Sequence, residues 1–480
     1  MSTFVMYGAA AISVAVVVFM LIKKMDIKIT LFLMGILLMF VGVALGNPIG
    51  GEEFASTGAV WLDPLKVIAD QFKSTISAAG FIILILGGYS AYMNDIKANN
   101  VTVSVLTKPI AKIKSVYILV PIVFLLGNLL SLVVPSASNL AIILLATLYP
   151  ILIQAGMSTL TAAGIIATTA TIVPTPLGSD NVAIAAELAN TAEFAGMTAT
   201  DYVFRYHAVV SVPTILLMAV VHFFWQKYCD SKSKDAAGKI ADVKEIEEVQ
   251  GGALYRTVYA ILPLLPILLL IGVFALQKIT GLKIDISVEV ATLFSFVIAI
   301  ICEMIRTRDG KKALAQTESF FKGMGGSMPI VALLVAGTIF VTGLKSIGLI
   351  SALQNAMTGM QGSGMGFVLP LLLVGLTALI VLLSGSGTAL FFAMVPLMVP
   401  LAAAAGIPVF AVSVPMGLAG NLLRAVSPVS AVVMIVAGSV KREPLEVVKR
   451  TAVPMIIGTV VMFVLSTVSY THLTLPTIRL

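Results

Sequence analysis

The chain has 480 residues, of which 59% are hydrophobic and only 11% charged, and its mean hydropathy is +1.06. A water-soluble domain carries about a quarter charged residues to cover its surface, so a soluble globular fold is excluded and lipid replaces water around most of the chain. The net charge of +7 calls for no nucleic-acid partner, because much of it lies in short loops beside apolar spans, where it sets orientation.

Inside hydrocarbon only α-helices and closed barrels satisfy every backbone donor and acceptor. Long charge-free runs such as Val116–Val134 fit helices, whereas barrel strands are short and alternating. The first apolar run, Phe4–Ile22, has no basic region ahead of it, and Lys23 and Lys24 follow it. A cleaved signal peptide has the opposite polarity, so an uncleaved first helix is expected. Further spans are predicted near 28–46, 77–93 and 116–134, then a denser region 138–190 and a span at 203–225. A polar stretch, 226–256, divides the chain. The series then recurs: 257–279, 286–305, 327–344, 365–383, a dense region 388–440, and 451–468. Residues 469–480 lose apolar density and read as an extramembrane or foreign tail.

Corresponding spans lie roughly 250 residues apart, the mark of a duplication. Ser136, Ser138, Pro150 and Gly156 find Ser386, Thr388, Pro400 and Gly406 at one constant offset. Lys23, Lys24 and Lys28 place the first loop in the cytoplasm. The loop 47–76, with Glu52, Glu53, Asp63 and Asp70 against Lys66 and Lys73, then lies outside. Its counterpart, 306–326, holds Arg306, Arg308, Lys311, Lys312 and Lys322 and lies inside. Equivalent loops on opposite sides define an inverted-topology repeat, a common build for secondary transporters. The expected domains are a first repeat at 1–225, a cytoplasmic linker at 226–256, a second repeat at 257–468 and the tail, with both termini outside.

Each half holds a polar break between apolar segments: Val134-Pro-Ser-Ala-Ser-Asn139 in the first and Ser384-Gly-Ser-Gly-Thr388 in the second. Neither has the flanking charges of a loop in bulk water. Such residues suit hairpin tips and broken helices, whose freed amides at the next helix start can face an anion. A single cluster could equally be a small-residue packing seam; two at matched positions favour a site. A second pair follows, Pro174-Thr-Pro-Leu-Gly-Ser-Asp-Asn181 and Asn421-Leu-Leu-Arg-Ala-Val-Ser-Pro428. Asp180 and Arg424 are ionisable groups in apolar surroundings, where a charge is costly and faces a cavity or a partner. Arg424 can grip a carboxylate with two prongs; Asp180 can bind a cation or a proton. The alternative for these two is a structural ion pair across the repeat interface.

Other residues carry weaker signals. His207 and His222 are expected at membrane interfaces, Trp225 and Tyr228 as interfacial anchors. Lys97, Lys108, Lys112 and Lys114 read as orientation charges, and Lys345 is ambiguous. Cys229 and Cys302 are far apart and form neither a metal site nor an expected disulfide. The sequence contains no Walker loop, HExxH or nucleophile elbow, so neither ATP hydrolysis nor other enzyme chemistry has sequence support.

Several stretches resemble a known family. His222-Phe-Phe-Trp-Gln-Lys-Tyr228, Asn421-Leu-Leu-Arg424 with Ser427-Pro-Val-Ser430, and Pro444-Leu-Glu-Val-Val-Lys-Arg-Thr-Ala-Val-Pro454 closely resemble the type-C anaerobic four-carbon dicarboxylate carriers (DcuC). The family's Ser-Gly-Ser-Gly matches Ser384–Gly387, and its Ser-Gly-Asp is similar to Ser179-Asp180, which lacks the intervening glycine. The resemblance implies an ion-transporter-superfamily fold, with paired re-entrant hairpins and an elevator-type transport domain moving against a dimeric scaffold. It implies fumarate, succinate or malate as substrates, carried across the bacterial inner membrane by exchange or with a coupled cation, Na+ or H+, and no other cofactor. Carriers of other organic anions or amino acids, and a channel, are the alternatives.

The expected architecture is therefore an all-α polytopic membrane protein of two inverted repeats, each with a scaffold part (its first three spans and its last) and a transport part. Ser136, Ser138, Asn139, Ser384, Ser386, Gly387, Thr388, Asn421, Arg424 and Ser427 are the expected substrate contacts. Asp180, Asn181 and Ser179 are the expected coupling-ion residues, with no catalytic or metal-binding residue. The expected partners are the dicarboxylate, the lipid bilayer and a second copy of the chain.

Overall fold

The structure is a computed structural model that describes residues 2–23, 25–47, 49, 54–113, 115–134, 136–172, 174–232, 251–281, 284, 286–349, 352 and 367–472. Lys24, Glu52, Glu53, Lys114, Pro135, most of the linker and the end of the tail lie outside the described residues.

Apolar sequence becomes helix here because hydrocarbon offers backbone amides no other partner. The first half comprises α1 (Ser2–Ile22), α2 (Ile27–Ala44), α3 (Asp63–Thr75), α4 (Phe81–Asp95), α5 (Ala98–Thr107), α6 (Val116–Leu130), α7 (Ala137–Thr147), α8 (Tyr149–Gln154), α9 (Thr159–Ala167), α10 (Ser179–Ala189), α11 (Ala199–Tyr202) and α12 (Ala208–Lys232). The second comprises α13 (Ala253–Ile261), α14 (Leu265–Thr280), α15 (Val288–Thr307), α16 (Gly310–Gln316), α17 (Glu318–Ser346), α18 (Val368–Ser384), α19 (Thr388–Ala405), α20 (Phe410–Leu423), α21 (Ala431–Ser439) and α22 (Pro444–Thr467). Among the described residues, nine helical segments are long and apolar enough to cross a membrane.

One group of helices is organised around α17, which packs along α2 and α4, while α15 packs on α4 and α13 on α5. Backbones touch where α17 crosses α2: a Cβ on Gly343 would lie 2.6 Å from the Gly35 carbonyl oxygen. Small residues allow that approach, and close van der Waals packing is what holds helices together in lipid.

The other group contains two hairpins, α6–α7 and α18–α19, and two interrupted helices, α9–α10 and α20–α21. It also contains α12 and α22. The expectation that the last span of each half joins the scaffold is overturned, because α12 packs on α6 and α22, and α22 packs on α9 and α20. A buried ion pair explains why. Arg450 on α22 donates to the Asp230 carboxylate at the end of α12 at 2.6 Å, with side-chain exposures of 4% and 12%. Ser158 and Thr161, at the start of α9, donate to the same carboxylate at 2.8 and 3.0 Å. These charges looked like part of the linker and a loop; three helix ends converge on them instead.

The orientation of the interrupted helices follows from α12, whose 25 residues span about 37 Å. Helix α9 starts beside the C-terminal end of α12, through Thr161 and Asp230. Helix α20 starts beside its other end, where Phe410 stacks on Tyr206 with ring centroids 3.6 Å apart. The two therefore enter from opposite sides. The constant offset of 250 also has a structural counterpart. Met157 N–H donates to Leu152 and Ile407 N–H to Ala402, each past a left-handed glycine, Gly156 (φ +90°) and Gly406 (φ +63°), the helix-ending geometry glycine allows.

Both histidines are buried in the protein, His207 at 2% and His222 at 0% exposure. His222 packs on Phe124, with centroids 4.7 Å apart, and lies 3.4 Å from the Gln226 amide, so α12 turns it inward against the hairpin. Trp225 donates to the Lys449 carbonyl and stacks on exposed Tyr228. Tyr470, placed in the tail by sequence, hydrogen-bonds the Tyr206 carbonyl and packs on Phe410.

Removing one partner of a buried ion pair leaves an uncompensated charge, which costs about 3–5 kcal/mol. Asp230→Ala is therefore expected to lower the thermal midpoint of the purified protein clearly below wild type. An unshifted melt would show that α9, α12 and α22 stay together without the pair.

Candidate functional site

Four helices begin at one place in the second group. At the first hairpin tip, Ser136 caps α7, its hydroxyl accepting from Asn139 N–H at 3.4 Å. At the second tip, Gly387 precedes α19, and the Ser386 hydroxyl accepts from Thr388 N–H at 3.4 Å. The interrupted helices restart as α10, after Gly178, and as α21, capped by Ser430. All four starts line one cavity of about 510 Å³. Each N-terminus carries roughly half a positive charge and open N–H donors, so the cavity is built for an anion.

Two ionisable side chains face the cavity without pairing. Arg424 donates from Nη2 to the Ala170 carbonyl at 2.6 Å, and among the described residues its other donors are left for a guest. Ala170 takes a left-handed φ of +60°, which turns that carbonyl toward the guanidinium. Asp180 accepts from Asn181 N–H at 3.0 Å and from the Asn421 amide at 3.2 Å. Among the described residues no Asp180–Arg424 contact falls within ion-pair distance, although Asp180 feels the Arg424 charge. The structural ion pair weighed from sequence is thus not formed. One cation and one anion cancel, and the four helix starts leave the net potential positive.

The structure brings together Ser136, Ser138, Ser179, Asp180, Ser386, Gly387, Thr388, Asn421 and Arg424 on the cavity wall, with Phe391, Phe392 and Met416 as its apolar side. Four expected residues lie elsewhere. Asn139 lines an adjoining cavity. Ser384 donates to the Ile380 and Ser386 carbonyls, closing the second tip. Buried Ser427 donates to the Leu382 carbonyl at 3.1 Å, tying the second break to the second hairpin. Asn181 is also buried and donates to the Thr175 carbonyl at 2.9 Å, bridging the first break. These three hold backbone that has left the helix.

Sequence reasoning missed Asn128. Its side-chain oxygen accepts from Thr171 N–H (2.9 Å), the Thr171 hydroxyl (3.1 Å) and Ile172 N–H (3.3 Å), while its amide donates to the Phe124 carbonyl. It fastens the first hairpin to the first break. A lone amide in the apolar run Val116–Val134 was the available signal.

The comparisons agree with this architecture. The family model described as C4-dicarboxylate anaerobic carrier, DcuC, matches residues 6–471. The anaerobic C4-dicarboxylate transporter DcuC of Escherichia coli K12 is 35% identical over 445 residues, which cover 92% of each chain. A probable anaerobic C4-dicarboxylate transporter DcuC of Vibrio cholerae is 36% identical over 433 residues, 90% of each chain. Among solved structures, Neisseria gonorrhoeae MtrF, presented with a class of antimetabolite efflux pumps, aligns with a TM-score of 0.60 at 15% identity over 94% of this chain and 96% of its own. The Alcanivorax borkumensis YdaH transporter, noted for an unusual topology, aligns with a TM-score of 0.64 at 15% identity over 92% and 98%. At that identity the two structures bear on the fold alone.

Leaving buried donors without a partner costs about 1–3 kcal/mol. Asn128→Ala should therefore lower the thermal midpoint by a corresponding amount. A melt indistinguishable from wild type would show that the first break supports itself.

Proposed function

The chain belongs to the DcuC family of C4-dicarboxylate anaerobic carriers, and from that premise we propose that it carries four-carbon dicarboxylates such as fumarate, succinate and malate across the bacterial inner membrane. The step is translocation of an unmodified solute, by exchange or with a coupled cation. The observation that carries the reading is the cavity's charge arrangement: Arg424, with no acidic partner among the described residues, beside four helix N-termini. A dicarboxylate has two anionic ends, and the hairpin starts at Ser136–Ser138 and Ser386–Thr388 offer an amide-and-hydroxyl cradle for each. Arg424 supplies the full charge for one of them, in the two-pronged form lysine lacks. Asp180, held by Asn421 but not neutralised by a basic contact, is the proposed seat of the coupling cation or proton, with Ser179 beside it.

The same reading takes residues 1–225 and 257–468 as inverted repeats joined by the linker 226–256. The block of hairpins, interrupted helices, α12 and α22 is its transport part, moving against a scaffold built on α2, α4 and α17. The outward apolar side chains of α15, including Phe294, Val297, Ile301 and Ile305, suit lipid or a second scaffold in a homodimer.

In proteoliposomes, wild type should show saturable uptake of labelled succinate, competed by unlabelled fumarate and malate but weakly by monocarboxylates and amino acids. Arg424→Ala leaves a buried carboxylate without its charge partner, a loss of about 2 kcal/mol or more, or about thirtyfold in affinity. Arg424→Lys should recover only part. Uptake by Arg424→Ala with unchanged affinity would remove this residue from the site, and flux that never saturates would favour a channel.

A further inference from the structure

One carboxylate of the second helix group has no part in the main cavity. Glu187 lies seven residues after Asp180 on α10, two turns along the same face and about 10 Å further on. It is partly buried and lines a separate cavity of about 100 Å³. The opposite wall belongs to the other helix group, with Gln71, Ser74 and Thr75 near the end of α3 and Leu334 and Thr338 on α17. Just past α3 the backbone leaves the helical path at Ala78 (φ −90°, ψ −109°). Glu187 therefore sits on the face where the two groups meet.

Its charge has no counter-charge in contact. Among the described residues Glu187 forms neither a hydrogen bond nor an ion pair, and it is the one charged side chain on its cavity wall. The surrounding elements are otherwise engaged or neutral. Helices α19 and α20 contain no ionisable residue. Asp201 of α11 is paired with Arg205, and Asp70 of α3 with Lys66 and Lys73. On α4 the ionisable residues Tyr89, Tyr92 and Asp95 occupy the last two turns. Along α17 nothing between Lys322 and Lys345 is charged. The field of Lys345 reaches Glu187, without contact. Lys345 stands seven residues beyond Thr338, again about 10 Å along the same helix face.

An unpaired carboxylate inside a membrane protein marks a function more often than a packing role. The stripe of α17 that faces Glu187 runs one way through apolar Leu334 to Ile330 on the main cavity, and the other way to Lys345. Against the apolar part an ionised carboxylate loses its water and gains no partner, whereas the protonated form loses far less. We propose that Glu187 is a proton-binding gate on the moving block: ionised, it holds α10 beside its polar cavity, and protonated, it lets α10 pass the apolar stripe of α17. This rests on the dicarboxylate-carrier reading, in which the group containing α10 shifts against α17. The coupling cation is then a proton, taken from water on one side of the membrane and returned to water on the other, so no further reactant is needed.

The test measures initial rates of labelled fumarate uptake into proteoliposomes, with interior pH followed by a dye. Fumarate stays doubly ionised over the range used, so its own titration does not contribute. Wild-type uptake should fall by about tenfold from about pH 6 to about pH 8, the loss given by one essential acid titrating between them. Glu187→Gln, which keeps the shape of the protonated acid, should stay active, vary by less than about threefold over that range and carry one proton fewer per fumarate. Glu187→Asp, which keeps a carboxyl, should retain the pH dependence. Lys345→Met removes a positive charge that favours the ionised form, so its profile should move to higher pH. A wild-type profile and proton ratio in Glu187→Gln, or a folded Glu187→Gln that no longer transports, would overturn the gate while leaving the carrier reading intact. Wild-type uptake that follows a Na+ gradient and not pH would overturn it too. If Glu187→Gln does not fold, Lys345→Met, at an exposed side chain, carries the test, and an unmoved profile counts against the proposal. Wild-type vesicles without saturable dicarboxylate flux would remove the carrier reading and the gate with it.

Discussion

Backbone that leaves the helical path inside a membrane must find its hydrogen bonds within the protein, since each group left bare in hydrocarbon costs several kcal/mol. This protein accepts that cost at four breaks that share one cavity, and much of the helix group around them offsets it. Asn128 holds the first break, Asn181 bridges it, Ser427 ties the second break to its hairpin, and Thr451 donates to the Ala425 carbonyl beside Arg424. Four side chains that could have served a ligand serve the backbone instead. What they support is an opening where helix starts, rather than lipid-facing side chains, define the surroundings.

The same constraint shapes the charges. In low dielectric Asp180 and Arg424 would gain much by pairing, yet each is occupied by neutral groups, Asn421 for the acid and the Ala170 carbonyl for the base. The strained backbone at Ala170 fits this account, because a left-handed alanine persists only when its surroundings demand it. Holding the two charges apart keeps both available; on the proposed carrier reading, an anionic solute and a coupling cation would bind at adjoining positions without first breaking a salt bridge.

Much of this was legible in the sequence because the breaks are written in residues that hydrocarbon tolerates nowhere else. Ser136, Ser386, Asp180 and Arg424 stood out by chemistry and line the cavity. Ser384, Ser427 and Asn181 stood out for the same reason and do not, because a hydroxyl that caps a carbonyl and one that faces a solute differ only in direction. Asn128 was lost in an apolar span that otherwise reads as simple helix. The place of α12 and α22 was lost for a related reason: Asp230 falls in the polar stretch 226–256 and Arg450 just before the last span, and only the three-dimensional convergence of α9, α12 and α22 shows them buried together.

An inverted repeat makes the two hairpins equivalent in build but not in surroundings. The second tip is clamped, since a Cβ on Gly385 would lie 2.6 Å from the Val429 carbonyl and one on Gly387 2.9 Å from the Gly420 Cα. The first tip, by contrast, borders the large cavity along α4, where Asn139 faces open space rather than neighbouring backbone. One tip is sealed against its own interrupted helix, while the other lies beside a second cavity with a partly polar wall. On the proposed carrier reading, alternating access requires no rearrangement of the cavity itself: the block carrying all four breaks would shift along the small-residue contact where a Cβ on Gly337 of α17 would lie 3.1 Å from the Ala393 backbone of α19, closing one path as it opens the other.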